Sequence, residues 1–143
     1  MRKMFAVAAA ALTVSMLAGC SGGAKLDREA EVDEMNFKVP STYADKSDEN
    51  NNLYKNGDNA IQVIGMDWVE DADDVYEIFI GNIEDSVEVR ELDSGVIDGH
   101  EYATYSVGDN DAMIFHGPEG GYYVCIYGDE VSADKFLDNV TFD

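Results

Sequence analysis

Between residues 35 and 143, apolar and polar positions alternate in short runs broken by glycine and by Asp/Asn turns, and twice the period lengthens to helical spacing. Met35, Phe37 and Val39 fall on one side of a strand that Pro40 ends. Leu53-Tyr54-Lys55 and the run 59–66 flank Asn56-Gly57, a pair in which both residues tolerate positive φ, so a tight hairpin is predicted. In its second strand Ala60, Gln62 and Ile64 share one face, and Ile61, Val63 and Gly65 the other. At Asp71 the character changes. Asp71 is placed to cap a helix over about 72–83, with Asp73 and Asp74 in the first turn, where carboxylates suit the helix dipole. Val75, Ile78, Phe79 and Asn82 follow at helical spacing, and Tyr76, Ile80 and Ile83 widen the stripe.

Beyond the helix the alternation returns. Val87 and Val89 alternate with charge, and Gly95-Val96-Ile97 meets the run 100–105 across Asp98-Gly99, a second tight hairpin. Asp109-Asn110-Asp111 turns into the run 112–116, and Gly117-Pro118-Glu119-Gly120-Gly121 turns into 122–127. Strands joined by such short loops pair antiparallel. Ser132 is placed to cap a short helix over 133–138 with Phe136 and Leu137 inward, and Val140-Thr141-Phe142 closes the chain as a strand. The fold expected is therefore α+β: an antiparallel sheet built as hairpin, helix, four-strand meander, helix and terminal strand. Phe37-Lys38-Val39-Pro40 at the opening, the helix after a hairpin, and the ending Phe136-Leu137-Asp138-Asn139-Val140-Thr141-Phe142 resemble the PsbP-like α/β/α sandwich of photosystem accessory proteins and many small bacterial lipoproteins. That resemblance would cover nearly all of 35–143 and implies a non-enzymatic accessory or binding module without naming its ligand.

The first nineteen residues belong to a different pattern. Arg2 and Lys3 precede an uncharged apolar stretch over 4–17, too short for a membrane-spanning helix and followed by small residues. Leu17-Ala18-Gly19-Cys20 closely resembles the bacterial lipobox, in which the cysteine sulfur receives diacylglycerol and the leader is cut away. The division expected is a lipoprotein signal peptide over 1–19, lipidated Cys20 with a flexible tether over 20–34, and an acidic α+β domain over 35–143. Ser21-Gly22-Gly23-Ala24 suits a tether, and the charged, weakly patterned 25–34 reads as stalk or as a frayed first element. Burial of acyl chains contributes about 0.8 kcal/mol per methylene, and two chains hold where one is marginal. The resemblance thus places the protein on the extracytoplasmic face of a cell membrane, held by lipid on Cys20.

Charge sharpens the picture. The chain has thirty acidic residues against nine basic, and every acidic one lies beyond Cys20. Loss of Arg2 and Lys3 with the leader leaves seven basic residues and a balance of −23. Such a surface is repelled by phosphate, so nucleic acid is a poor partner; the charge reads first as a solvated acidic coat, and in a sharper reading as a landing site for basic proteins or cations. The apolar content of 45%, with eight Tyr, six Phe and Trp68, is enough for one folded domain. With Cys20 acylated, Cys125 stands alone within the apolar run 121–127 and reads as a buried, inert thiol.

Candidate chemistry is sparse. Asp48, Asn50 and Asn52 begin like a calcium loop, but Leu53 replaces the required glycine and Asn59 the closing glutamate. The clusters Asp71/Asp73/Asp74 and Asp109/Asn110/Asp111 are accounted for by capping and turns, and His100 and His116 lack a zinc framework, so no metal and no cofactor is expected. Ser94 sits in Asp93-Ser94-Gly95, which reads as a bulge or turn, neighbouring His100 and Glu101 point to opposite faces, and a Cys125–histidine pair would need a cationic setting that the strand does not offer. No catalytic residue is expected, and a small hydrolase is the least supported reading. Tyr123 and Tyr127 share a face with Cys125, while Tyr102 and Tyr105 fall on opposite faces. The leading reading is a non-catalytic accessory or binding lipoprotein presenting an acidic domain to a protein partner; the alternative is a tyrosine-lined sheet groove for a small molecule or peptide.

Overall fold

The computed structural model describes residues 24–49 and 51–143. The expected leader over 1–19, Cys20 and Asn50 lie outside the described residues, and with them the expected lipidation site and the middle of the calcium-like stretch. Seven strands form the main antiparallel sheet, and three more form a second one.

In the small sheet, β2 (Met35–Val39) lies between β1 (Arg28–Val32) and β10 (Thr141–Phe142). In the large sheet the order is β3 (Ala44–Asp45), β4 (Asn52–Asn56), β5 (Asn59–Met66), β9 (Gly120–Tyr127), β8 (Asn110–Gly117), β7 (His100–Val107), β6 (Val89–Ile97). Helix α1 (Ala72–Tyr76) runs into a π-helical turn over Glu77–Gly81, and α2 (Ala133–Leu137) precedes β10.

This arrangement overturns the α+β, PsbP-like expectation. Among the described residues the domain is mostly β, with two antiparallel sheets and two short helices, and it is not a helix-flanked sandwich. The reason lies at the chain's start and end. Stretch 25–34, read as stalk or frayed first element, contains β1, whose Glu29 and Glu31 face solvent while Val32 is buried. It pairs with β2 from Arg28–Val39 to Val32–Met35, and β10 pairs with the other edge of β2. The opening and closing strands therefore leave the main sheet and cover one of its faces, which a helical layer was expected to cover. Phe37 and Phe136 meet there at 5.6 Å, and Phe142 packs on Phe115 and Tyr122, each at 5.6 Å. Met35, Val39, Ile61, Val63, Met113 and Val124 are fully buried in this inter-sheet core. Burying each such side chain stabilises by roughly 1.5–3 kcal/mol.

Turn chemistry sets the register of the large sheet. The β6–β7 loop is Asp98-Gly99, with φ of +49° and +80°, the mirror-image turn whose twist matches the flanking strands. The β4–β5 loop is shifted one residue from the expected Asn56-Gly57: Asn56 pairs with Asn59, and Gly57 takes the positive φ at the first loop position. The β8–β9 loop, Pro118-Glu119, leads into Gly120 at φ +127°, where a Cβ would collide with the Met66 carbonyl.

The caps form as the spacing predicts. Asp71 accepts from the Asp74 amide at 3.0 Å, and Ser132 accepts from the Lys135 amide at 3.2 Å. The first helix is shorter than the expected 72–83 and changes pitch at Glu77. Val75 and Ile80 anchor it on the second face of the large sheet, against a smaller core that holds Ala112, Ile114, Tyr123 and Cys125.

Candidate functional site

On that second face the strand registers define rows of side chains. One row runs Val96, Glu101, His116; the next runs Ser94, Ala103, Ile114, Tyr123; the next runs Glu91, Tyr105, Ala112, Cys125. Helix α1 packs over β8 and β9. The surface of β6 and β7 beside the helix is left as a groove of about 490 Å³.

Ala72, Asp73 and Tyr76 form the helical wall; Glu91, Ser94, Glu101, Ala103 and Tyr105 come from the strands, with Ile114 beneath. A β-bulge places Glu91 in this groove. Uninterrupted alternation would put Glu91 on the same side as Asp93 and Gly95. The register shifts between Glu91 and Asp93, so the extra residue Leu92 is 47% exposed and Glu91 sits opposite Tyr105.

The aromatic corner is held in place. The Tyr76 and Tyr105 rings lie 5.3 Å apart at 56°, and the Tyr76 hydroxyl donates to Glu84 at 2.6 Å. That hydrogen bond is the main reason the Tyr76 phenol is pushed up to about 12. Burial raises the Tyr105 phenol, and the negative charges of Glu91 and Asp73 raise it further. The carboxylates of helix and strand thus bear on one tyrosine from both sides.

The remaining sequence candidates are dispersed. His100 is buried on the opposite face, stacked on Phe142 at 3.7 Å, with Nδ1 3.1 Å from the Asp98 carbonyl and Nε2 without a partner. His116 is the cross-strand neighbour of Glu101, on the groove face, four residues along the strand from the row that holds Cys125. No histidine therefore pairs with the thiol. Cys125 is buried, as its apolar run predicts, and burial pushes its thiol up. Asp111 accepts from the Ala133 amide at 3.0 Å, and Asp74 accepts from the Glu70 amide at 3.1 Å, so both acidic clusters serve helix starts. Among the described residues no three or more His, Cys, Asp or Glu side chains converge as a metal site.

No protein-family model matches this chain, and no curated protein matches it.

Of the groove residues, the sequence singled out Tyr105 for aromatic character, set Ser94 and Glu101 aside as catalytic candidates, and gave Asp73 and Tyr76 to the helix. Glu91 was missed because its orientation depends on the bulge. The available signal was small Ala103 in a strand between larger side chains, facing a helix whose stripe includes a tyrosine.

Proposed function

We propose that this protein is a lipid-anchored, extracytoplasmic binding lipoprotein that presents an acidic face to a basic protein partner and carries out no catalysis. The observation that supports this most is the segregation of charge. Between residues 57 and 127, the part that builds β5 to β9 and α1, stand seventeen acidic residues and one basic residue, Arg90. The other six basic residues of the described part are Lys25, Arg28, Lys38, Lys46, Lys55 and Lys135. Four of them belong to the small sheet, its entry and α2.

The tether side follows from the hydrogen bonds of Ala24. Its amide donates to the Glu130 carbonyl at 3.1 Å, and its carbonyl accepts from Lys135 Nζ. Ala24 and Leu26 pack on the inter-sheet core, on the side of the large sheet away from the groove. A chain held at Cys20 would present the acidic strand face outward and keep its less acidic side toward the lipid. Long-range attraction of this kind accelerates encounter with a basic partner and weakens with salt.

The test is retention of polylysine by vesicles carrying the native protein, against vesicles without it, at low and at high salt. Retention that depends on the protein and disappears at high salt is expected. Equal retention with and without the protein, or retention indifferent to salt, contradicts the proposal.

A further inference from the structure

The groove between α1 and strands β6 and β7 has two acidic ends and a middle lined by Ala103, Ile114 and Ser94, and we infer that it is a binding site for a linear polyamine of about the length of spermidine. Glu91 sits beside Tyr105, and Glu101 lies four residues along β7 on the same face. At the rise of a strand those positions are roughly 13 Å apart. Between them the strand contributes Ala103, whose small side chain leaves room above Ile114 for a methylene chain. The volume of about 490 Å³ accommodates such a molecule lying along β7.

The chemistry of the ends selects the ligand. At the Tyr105 end, Glu91 and Asp73 supply carboxylates, and the Tyr76 and Tyr105 rings offer faces that attract an ammonium ion. At the other end Glu101 supplies a second carboxylate. A divalent metal ion needs several oxygens at 2.3–2.6 Å around one point, and carboxylates this far apart cannot provide them. A single lysine side chain brings one charge and leaves one end unpaired. A chain with an ammonium at each end pairs both, and the internal ammonium that spermidine also carries lies over the middle row, where Ser94 offers a hydroxyl. This site is independent of the protein-partner proposal, since it depends on local geometry and not on overall charge.

The test is calorimetry of spermidine against the purified native protein in non-ionic detergent at fixed ionic strength, with butylamine, magnesium and acetylated trilysine as competitors. Spermidine is expected to bind one per chain and to resist displacement by butylamine or magnesium. Each of Glu91→Gln and Glu101→Gln should weaken it about tenfold, the loss of one charged hydrogen bond. Asp134→Asn, on the opposite side of the sheet, should leave it unchanged. Circular dichroism confirms the fold of each variant, and all three positions are exposed. Absence of saturable binding overturns the assignment. So does equal weakening by Asp134→Asn, which would mark diffuse charge attraction, or tighter binding of trilysine, which would make the groove a peptide site.

Discussion

Asp98 offers a graded test of how the short terminal strand is fixed to the rest of the domain. Its backbone stands at φ +49° in the β6–β7 turn, its Oδ2 accepts from the Phe142 amide at 3.0 Å, and its carbonyl faces His100 Nδ1 at 3.1 Å. Strand β10 has only Thr141 and Phe142, so this bond supplements a pairing of two residues. Asp98→Ala removes a charged acceptor, which costs about 1.5–3 kcal/mol. It also puts alanine in the left-handed region, for roughly 1–2 kcal/mol more. Asp98→Gly suffers the first loss without the strain, at the smaller cost of a more flexible unfolded chain, about 0.4–1 kcal/mol. Asp98→Asn keeps both the turn preference and a neutral acceptor, and should lose about 1 kcal/mol. Urea unfolding followed by far-UV circular dichroism should therefore rank the losses Asn, Gly, Ala. An alanine variant no less stable than the asparagine variant would refute both the carboxylate bond and the turn strain as stabilising features.

Phe136→Ala should destabilise by about 3–5 kcal/mol in the same assay, because Phe136 is fully buried between α2 and Phe37; a loss under about 1 kcal/mol would mean the inter-sheet core is not packed there. A thiol reagent should leave Cys125 unmodified in the native protein and react once it is unfolded, since the thiol is buried and raised; rapid native labelling would contradict this. Burial is the main cause of the rise of the Tyr127 phenol to about 12 and of the upward shifts of Tyr43 and Tyr123. These groups hold their protons more tightly when folded, so stability is intact below the unfolded value of about 10 and falls as pH rises from there through about 12. Phenolate absorbance of the native protein should lag that of the unfolded chain over this window; coincident titrations would show the hydroxyls are solvated.

What the sequence made legible was local. Asp71 and Ser132 are caps because a short acceptor side chain precedes each helical run, and Asp98-Gly99 is a turn because both residues accept positive φ. Strand parity placed Tyr102 and Tyr105 on opposite faces and left Cys125 inside. Partner choice was not legible. Nothing within Met35–Val39 says that it pairs with Arg28–Val32 and Thr141–Phe142 instead of joining the meander, since its alternation satisfies either sheet. Arg28–Val32 itself was obscured because two of its five residues are glutamates facing water. The groove was hidden for a similar reason: one extra residue at Leu92 reverses the facing of Glu91, and no periodic pattern encodes that reversal.

Attachment through Cys20 is the condition under which an outward acidic face has meaning, and intact-mass spectrometry of the protein from membrane fractions tests it most directly. The predicted product begins at Cys20, carries diacylglycerol on its sulfur, and loses membrane association in Cys20→Ser. A soluble, unacylated chain still beginning at Met1 would contradict the account.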